Sequence, residues 1–374
     1  MTLRVSWPQA LAWRMERQFL APLGSGTPVD IVRRLCGVQA QVASYADLAV
    51  RLRHAQPRVD EVSDALADGR LVKTWANRGT LHLLPADEAG LYLSLLADGR
   101  SWESPAWQRW FGISAAQIED LRGVVRDILD GRVMTREQVN AEIVKRPGYE
   151  HLGEHLKSGW GTLFKPLAWQ GDICFGPSRG TRVTFARPEQ LSSHWRPVPD
   201  AEDAAPKVIR NYLGAYGPAS PAQVRAWLAR GRISGRQLKH WFASLGETVT
   251  KVDVDDEEMF IRAEDTDALA AAKPTSAMRL LGGFDQWVLG PGTDDAHVVP
   301  AGRRASVSRT AGWIAPLLVV GGVVRGTWTR DGDRVTIEWF AESGKPPSAA
   351  LGQEVDRLSR LVGRPLTYEV VPSA

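Results

Sequence analysis

Cysteine is scarce in this sequence: Cys36 and Cys174 are the only two among 374 residues. Two thiols can build neither a disulfide framework nor a four-thiolate zinc site. Long apolar segments are also missing, since the longest nearly apolar run, residues 311–324, has 14 residues and includes glycine and proline. A membrane-spanning helix needs about 20 apolar residues, and the first residues lack the apolar core of a secretory signal. We therefore expect a cytoplasmic protein with no membrane partner.

Acidic residues are absent from one long stretch, residues 204–246, although the whole sequence contains 43 of them and has a net charge of only +3. The stretch holds seven cations, and residues 247–267 immediately after it hold nine acidic residues. A basic surface without internal acidic partners indicates contact with a phosphate backbone. The alternatives are that the stretch is basic by chance, or that these cations pair with acidic residues elsewhere, for example in the stretch that follows. The leading candidates for phosphate contact are Arg225, Arg232, Arg236 and Lys239.

Three predicted helix starts share one pattern along the chain. Thr27, Thr135 and Ser220 each supply a hydroxyl N-cap, and an acid or an amide follows each of them three residues later, as in a capping box. A helical stretch precedes each start, and a further helix and then extended residues follow it. The recurring order of helix, capped helix, helix and two-stranded wing predicts three tandem winged-helix modules.

The third module has the clearest pattern. Its second helix is predicted over Ser220–Ala229 and its recognition helix over Ser234–Leu245, with Ser234 and Gln237 as a further capping box. On that recognition helix, the side chains expected to face a DNA groove are Arg236, Lys239 and His240.

After Pro274 the pattern changes to alternating strands. Strands are predicted over Trp313–Val320, Val323–Thr329 and Arg334–Trp339, with Asp331-Gly332 as a hairpin turn and a helix over Ala349–Leu361. This segment predicts a small β-rich domain that is barrel-like.

The complete fold is therefore expected to be α+β, with three winged-helix modules and a C-terminal β domain. The predicted domain boundaries are 1–100, 101–200 and 201–273 for the three modules and 274–374 for the β domain.

Two motifs have ordinary structural explanations that we favour. The segment His151-Leu-Gly-Glu-His155 spells a zinc-protease pattern, but Gly153 interrupts the helix and no third ligand is identifiable. The tryptophan-rich segment of residues 102–110 could stack bases, but packing between modules is the favoured interpretation. No metal site is therefore predicted.

A pair of glutamines, Gln39 and Gln41, follows Gly37 at the predicted end of the second helix of the first module. Side chains two residues apart on a regular helix diverge by about 200°. The pair can serve one site only if the helix is relaxed there, which Gly37 allows. Spacing alone does not distinguish such a site from an ordinary pair of surface glutamines.

Three segments in this order resemble motifs of the AlkZ-like DNA glycosylases. They are Gln39-Ala-Gln41, Thr74-Trp-Ala-Asn-Arg-Gly-Thr-Leu-His82 and Phe284-Asp-Gln-Trp-Val-Leu-Gly290. The resemblance covers nearly the whole chain and implies three winged helices and a β-barrel in a C-shape around DNA. It also implies that Gln39 and Gln41 form the family's catalytic glutamine–hydrophobic–glutamine motif. The acidic residues within 291–297 depart from the arginine-rich turn of many relatives.

The activity implied by the resemblance is that of a monofunctional DNA glycosylase. Its substrates would be bulky or crosslinked N7-alkylguanines, and it would give self-resistance to a DNA-alkylating antibiotic such as azinomycin. The implied partner is double-stranded DNA carrying alkylated guanine, bound by a nucleoid-associated monomer without a cofactor. Because His82 and Arg78 belong to the wing that carries the second family segment, we expect them to border the cleft and to contact DNA.

Two other classes of protein stay open at this point. Tandem winged helices are more often transcriptional regulators than enzymes, and a DNA-architectural protein would also carry a basic surface. The glutamine pair favours the glycosylase, because a regulator would not need it.

Overall fold

The structure is a computed structural model that describes residues 2–159, 161–229 and 233–373, and its class is α+β, as predicted. None of the described helices is long and apolar enough to cross a membrane. The helices are α1 Trp7–Arg17, α2 Pro28–Arg34, α3 Ala43–Arg51, α4 Glu61–Ala67, α5 Ala89–Ala97, α6 Pro105–Phe111, α7 Ala115–Ile128, α8 Arg136–Ile143, α9 Gly153–Lys157, α10 Lys165–Trp169, α11 Pro188–Leu191, α12 Ala201–Tyr216, α13 Pro221–Ala229, α14 Gly235–Ser244, α15 Thr266–Ala271, α16 Gln286–Leu289, α17 Arg304–Val307 and α18 Ser348–Val362. The strands are β1 Leu3–Val5, β2 Val38–Gln39, β3 Leu71–Ala76, β4 Thr80–Pro85, β5 Met134–Thr135, β6 Cys174–Arg179, β7 Arg182–Ala186, β8 Val249–Val254, β9 Glu257–Arg262, β10 Met278–Leu281, β11 Leu317–Val320, β12 Val323–Asp331, β13 Arg334–Phe340 and β14 Thr367–Ser373.

The chain forms two compact units, each assembled from segments that are distant in sequence. The first unit consists of Met1–Val62, Ile209–Trp227 and Phe242–Ala374, and the second of Ser63–Val208 and Leu228–Trp241. The division into four consecutive domains stays a prediction.

The first unit contains a small sheet of strand order β1-β8-β9, in which β1 runs parallel to β8 and β9 antiparallel to it. Helix α1 follows β1 and begins at Ser6, whose hydroxyl accepts a backbone N–H of the first turn. The apolar side of α1 brings Trp13 and Met15 into a core that also contains Trp287. Burial of each such side chain contributes roughly 1.5–3 kcal/mol.

The C-terminal part of the first unit is a five-stranded sheet of order β10-β11-β12-β13-β14. All neighbours are antiparallel except β13 and β14, which are parallel. One face of the sheet packs on α18 through Leu351, Val355 and Leu358. Within the described strands β10 and β14 are free edges, so the sheet is open and the predicted barrel is wrong. The reason is that α18 buries this face, which removes the need to close the sheet on itself.

The second unit is built on an antiparallel sheet in which β4, β3, β6, β7 and β5 follow one another. The β3–β4 and β6–β7 hairpins, predicted as two separate wings, therefore share one sheet. Trp75 of β3 packs edge-on against Phe175 of β6, with 4.6 Å between the ring centroids. The Trp75 ring also lies against Gly161, whose φ is +59°, and a Cβ atom at that position would collide with it.

The predicted capped helix starts are confirmed. At Thr27 and Thr135 the hydroxyl accepts the backbone N–H three residues later, and the side chain of that later residue accepts the N–H of the cap. Ser220 and Gln223 make the same reciprocal pair at 3.3 and 2.9 Å. The local signals for these helices were sufficient because the bonds involve residues only three apart.

The recognition helix predicted over Ser234–Leu245 is α14, but its capping box is only half formed. The Ser234 hydroxyl accepts the N–H of Gln237 at 3.1 Å. The Gln237 side chain instead donates to Asp98 at 2.6 Å. The Gln237 side chain therefore bonds to Asp98, which is distant in sequence, and not to the backbone of Ser234.

Trp313 does not lie on a strand, contrary to the prediction of a strand over Trp313–Val320. Strand β11 begins only at Leu317. The preceding Pro316 has no N–H to donate to a ladder, and only its carbonyl takes part, accepting the N–H of Trp328 on β12 at 3.1 Å. Trp313 is consequently in a loop next to Ala311 and Gly312, which have φ of 56° and 75°.

Candidate active site

The glutamine pair lies on an extended segment rather than at the end of a helix. Helix α2 ends at Arg34, and Cys36 and Gly37 then have φ of 54° and 100°. This left-handed turn, which glycine adopts easily, directs the chain into β2, where Gln39 lies. The expectation that the pair ends a helix is therefore wrong.

The extended backbone brings the two amides together. Side chains two residues apart on extended backbone point to one face, and Gln39 Nε2 donates to Gln41 Oε1 at 2.7 Å. Gln39 is 5% exposed, whereas Gln41 is exposed. The buried amide thus orients the exposed one. The Gln41 carbonyl keeps a second lone pair that can accept a hydrogen bond from water.

A buried ion pair joins the third family segment to the helix that follows the glutamines. Arg53, just after α3, donates two hydrogen bonds to Asp285 at 2.9 and 2.7 Å, and neither side chain is exposed. Asp285 also accepts the N–H of Trp287 at the start of α16. Loss of one partner from such a pair costs about 3–5 kcal/mol, because a charge stays buried without compensation. The pair therefore holds the Phe284-Asp285 turn in place.

Sequence reasoning did not single out Tyr45 and Trp313, which form an aromatic group with Phe284. Tyr45 lies in the first turn of α3, four residues after Gln41. Its ring centroid is 6.4 Å from that of Phe284 and 6.2 Å from that of Trp313. The proximity of Tyr45 to Gln41 could have been read from the sequence. Phe284 belongs to the third family segment, but no sequence signal marks Trp313 as its partner, because tertiary packing brings Trp313 to Tyr45 and Phe284.

Arg78 and His82 lie together at the β3–β4 hairpin of the second unit. His82 is fully buried on β4, with Nδ1 donating to the Thr80 carbonyl at 3.0 Å and Nε2 without a hydrogen-bond partner among the described residues. Burial, and secondarily the positive charge of Arg78, lowers the pKa of His82 to about 3. An imidazole that stays neutral at physiological pH is not a general acid. The expectation that both residues border the DNA cleft stays a prediction.

Two candidate cations of the acid-free stretch are exposed on α14. Arg236 and Lys239 are three residues apart on this helix, and neither has an acidic partner within the described ranges. Arg225 is half-buried on α13, and Arg232 lies outside the described residues. Arg236 and Lys239 therefore present positive charge on one side of the helix.

Other polar side chains of the same stretch have acidic partners, and for Arg210 this partner is the one that the alternative interpretation expected. Arg210 of α12 lies 3.2 Å from Glu264, which belongs to the acidic stretch. His240 of α14 lies 3.0 Å from Glu202, so its ring is held by a carboxylate instead of being directed freely toward a groove.

The acidic segment after Gly290 also binds groups of the protein. Asp295 accepts hydrogen bonds from Gln223 at 3.1 Å and from the N–H of His297 at 3.0 Å. It also lies 3.9 Å from the buried guanidinium of Arg14. One carboxylate of this acidic segment thus serves the interior of the first unit.

Residues of the zinc-protease-like segment and of the tryptophan-rich segment pack together in the second unit. The zinc-protease-like segment is divided between a short turn and α9, and the ring of His155 contacts Phe111 at 4.9 Å. Trp107 packs on the same Phe111 at 4.4 Å, whereas Trp110 is 73% exposed. No group of three or more His, Cys, Asp or Glu side chains in the described part of the chain is placed to hold a metal ion.

Comparison with known proteins defines the class of the molecule. The sequence profile of the family described as "DNA glycosylase AlkZ-like" matches residues 32–361. The matched range includes the glutamine pair and the buried Arg53–Asp285 pair. The protein is therefore a DNA glycosylase.

The chain belongs to the AlkZ-like DNA glycosylase family. An interstrand DNA cross-link repair glycosylase from Streptomyces sahachiroi is 44% identical to it over 362 residues, which is 96% of this chain and 98% of that protein. The solved structure of the Streptomyces sahachiroi DNA glycosylase AlkZ matches it with a TM-score of 0.96 and 43% identity, covering 99% of this chain and 100% of the other.

Proposed function

We propose that this glycosylase hydrolyses the N-glycosidic bond of guanines alkylated at N7, including bulky and crosslinked lesions. The observation that carries the proposal is the hydrogen bond from buried Gln39 to exposed Gln41. A similar protein, the cross-link repair glycosylase with 44% identity, supports the choice of substrate. Protection of a host cell against a DNA-alkylating antibiotic such as azinomycin is the corresponding biological role.

The chemistry needs an oriented water more than it needs an acid. Alkylation at N7 gives the guanine a positive charge, so departure of the base neutralises it without proton donation. The sugar develops oxocarbenium character as the bond breaks. In the proposal, the Gln41 carbonyl holds a water toward the anomeric carbon, and its dipole stabilises the developing positive charge.

Gln39 acts on the same step through Gln41. Its amide N–H fixes the direction of the Gln41 carbonyl, which preorganises the dipole before the substrate arrives. The glutamine segment contains no lysine that could form a Schiff base with the sugar. We therefore propose a monofunctional enzyme that leaves an abasic site and does not cut the strand.

We further infer that three winged-helix modules surround the DNA in a C-shape. The support is that three capped helices recur at Thr27, Thr135 and Ser220, and that three hairpins, β3–β4, β6–β7 and β8–β9, follow in the same order. The enzyme would act as a monomer on double-stranded DNA of the nucleoid, in the cytoplasm.

The proposed DNA contacts are of two kinds. His82 borders the cleft, while the phosphate-contacting cations are Arg78, Arg225, Arg232, Arg236 and Lys239. Two segments are candidates for entry into a groove: the hairpin of β12 and β13, which turns at exposed Asp331-Gly332, and residues Phe284–Pro300.

The test is excision from a defined duplex. The purified protein is incubated with one DNA that carries an N7-alkylguanine monoadduct and with one that carries an N7-linked interstrand crosslink. We expect abasic sites in both, with strand cleavage only after alkali. No release of base from either duplex would refute the function, and cleavage without alkali would refute the monofunctional mechanism.

A further inference from the structure

Trp313 offers an aromatic face that no parallel ring of the described residues covers. Phe284 and Tyr45 contact it at steep angles, 77° and 64°, with ring centroids at 5.1 and 6.2 Å. The indole is 41% exposed. Among the described residues, neither the indole N–H of Trp313 nor the hydroxyl of Tyr45 has a hydrogen-bond partner. Tryptophan and tyrosine are common at binding surfaces because they combine a large apolar ring with a group that can form a hydrogen bond.

The two residues that contact the Trp313 indole, Tyr45 and Phe284, have little conformational freedom. The ring of Tyr45 lies against Gly282 and Gly283, and a Cβ atom at Gly283 would come within 2.7 Å of it. Phe284 has a φ of 58°, an unfavourable conformation for a bulky side chain, and the Arg53–Asp285 pair next to it holds that conformation. Residues kept in such conformations cluster at functional sites.

Charge and position indicate what this face binds. Tyr45 is four residues after Gln41, in the first turn of the helix that follows the glutamine segment, so a short piece of chain connects the aromatic cluster to the amide that would face the sugar. Burial raises the pKa of Tyr45, and the positive charge of Arg330 opposes that rise, so this cation is close enough to act on the cluster. Arg330 is exposed and has no ion-pair partner within the described ranges, which leaves it available to a phosphate.

We propose that the indole of Trp313 stacks on the alkylated base and prefers it because the base is cationic. This inference rests on the proposed function and names the group that selects the lesion. A positive charge over the face of tryptophan is attracted by the ring quadrupole, and tryptophan is the best of the aromatic residues in this respect. Unmodified guanine, and the neutral base released by cleavage, lack this attraction. Tyr45 and Phe284 are positioning residues that hold the indole.

The test compares two bases of the same shape. One duplex carries N7-methylguanine on a 2′-fluorinated sugar, which resists cleavage because fluorine disfavours the oxocarbenium ion. The other carries 7-methyl-7-deazaguanine, which is neutral. We expect the wild-type protein to bind the cationic base more tightly by roughly 2- to 30-fold, the range of cation–π interactions. Trp313→Leu should reduce the ratio of the two dissociation constants to about 1, while Trp313→Phe keeps part of it.

A matched control removes another exposed ring from the same unit. Tyr368 is 38% exposed, close to the value for Trp313, and Tyr368→Leu should leave the ratio at its wild-type value. Equal binding of the two bases by the wild-type protein, or an unchanged ratio in Trp313→Leu, would overturn the inference. Because these duplexes measure binding without cleavage, such a result would leave the proposed excision activity intact.

Discussion

At the scale of single residues, the glutamine pair depends on the difference in burial between its two members. Gln39 is almost fully buried and Gln41 is exposed, and one hydrogen bond joins them. A buried amide must satisfy its donors within the protein, so it has a fixed direction. That direction is transmitted to Gln41, which could otherwise rotate in solvent.

His82 gives a prediction on the dependence of stability on pH. In the unfolded chain its pKa is about 6.5, and in the folded protein burial lowers it to about 3. Between these values the unfolded state binds a proton that the folded state does not, so the free energy of unfolding falls as pH drops below about 6.5. From pH 7.5 to pH 5 this residue should account for a loss of about 2 kcal/mol.

The variant His82→Asn should lack that part of the decline, because asparagine does not titrate. Urea unfolding of both proteins at the two pH values measures the difference. His151→Asn, which changes an exposed histidine of the same unit, should retain the full decline. Parallel pH dependence in the wild-type protein and in His82→Asn would show that the buried imidazole does not have the lowered pKa.

What the sequence could predict at this scale was the identity of the residues but not their geometry. The glutamines were found by resemblance, yet the helix expected to carry them ends at Arg34. The positive φ of Cys36 decides this, and a non-glycine residue in that conformation has no sequence signal of its own. Trp313 was missed because its partners, Tyr45 and Phe284, are distant from it in sequence.

At the scale of elements, helix α14 carries the exposed cations of the basic stretch that we propose as a phosphate-binding surface. Arg236 and Lys239 are exposed without acidic partners among the described residues, whereas Arg210 pairs with Glu264. Pairing with the acidic stretch therefore accounts for Arg210, and phosphate contact stays the prediction for Arg236 and Lys239.

The double variant Arg236→Ala, Lys239→Ala should reduce the salt dependence of DNA binding. Each lost phosphate contact lowers the slope of log K against log salt by about 0.9, so a decrease of about 1.8 is expected. Sequence preference should not change, because phosphate contacts position a protein without specifying bases. A salt titration by fluorescence anisotropy provides the measurement.

Arg210→Ala is the matched control within the same stretch, since its charge is already paired with Glu264. It should leave the slope unchanged. An unaltered slope in the double variant as well would mean that DNA is bound elsewhere on the protein.

Elements with local signals were predicted well and those with distant partners were not. The capped starts of α2, α8 and α13 require residues three apart, and all of them are present. Strand β14 was not predicted, because its parallel partner β13 is separated from it in sequence by helix α18, so no local hairpin signal marks the pairing. The same helix explains why the sheet stays open.

At the scale of the whole molecule, the two compact units are each discontinuous in sequence, although the repeated pattern predicted consecutive modules. A compact unit can contain parts of several consecutive stretches of sequence, because each helix packs on the core that buries its apolar side. The division into consecutive modules that the repeat predicts stays a prediction, whereas the two compact units reflect tertiary packing.

The central claim is that Gln39 and Gln41 perform catalysis, and single-turnover excision tests it most directly. The rate of release of N7-methylguanine from a duplex is measured for the wild-type protein and for Gln39→Ala, Gln41→Ala, together with the affinity of each for the uncleavable fluorinated duplex. Loss of the preorganised dipole predicts a rate lower by roughly 10- to 1000-fold with unchanged affinity. Undiminished excision by the double variant would contradict the claim.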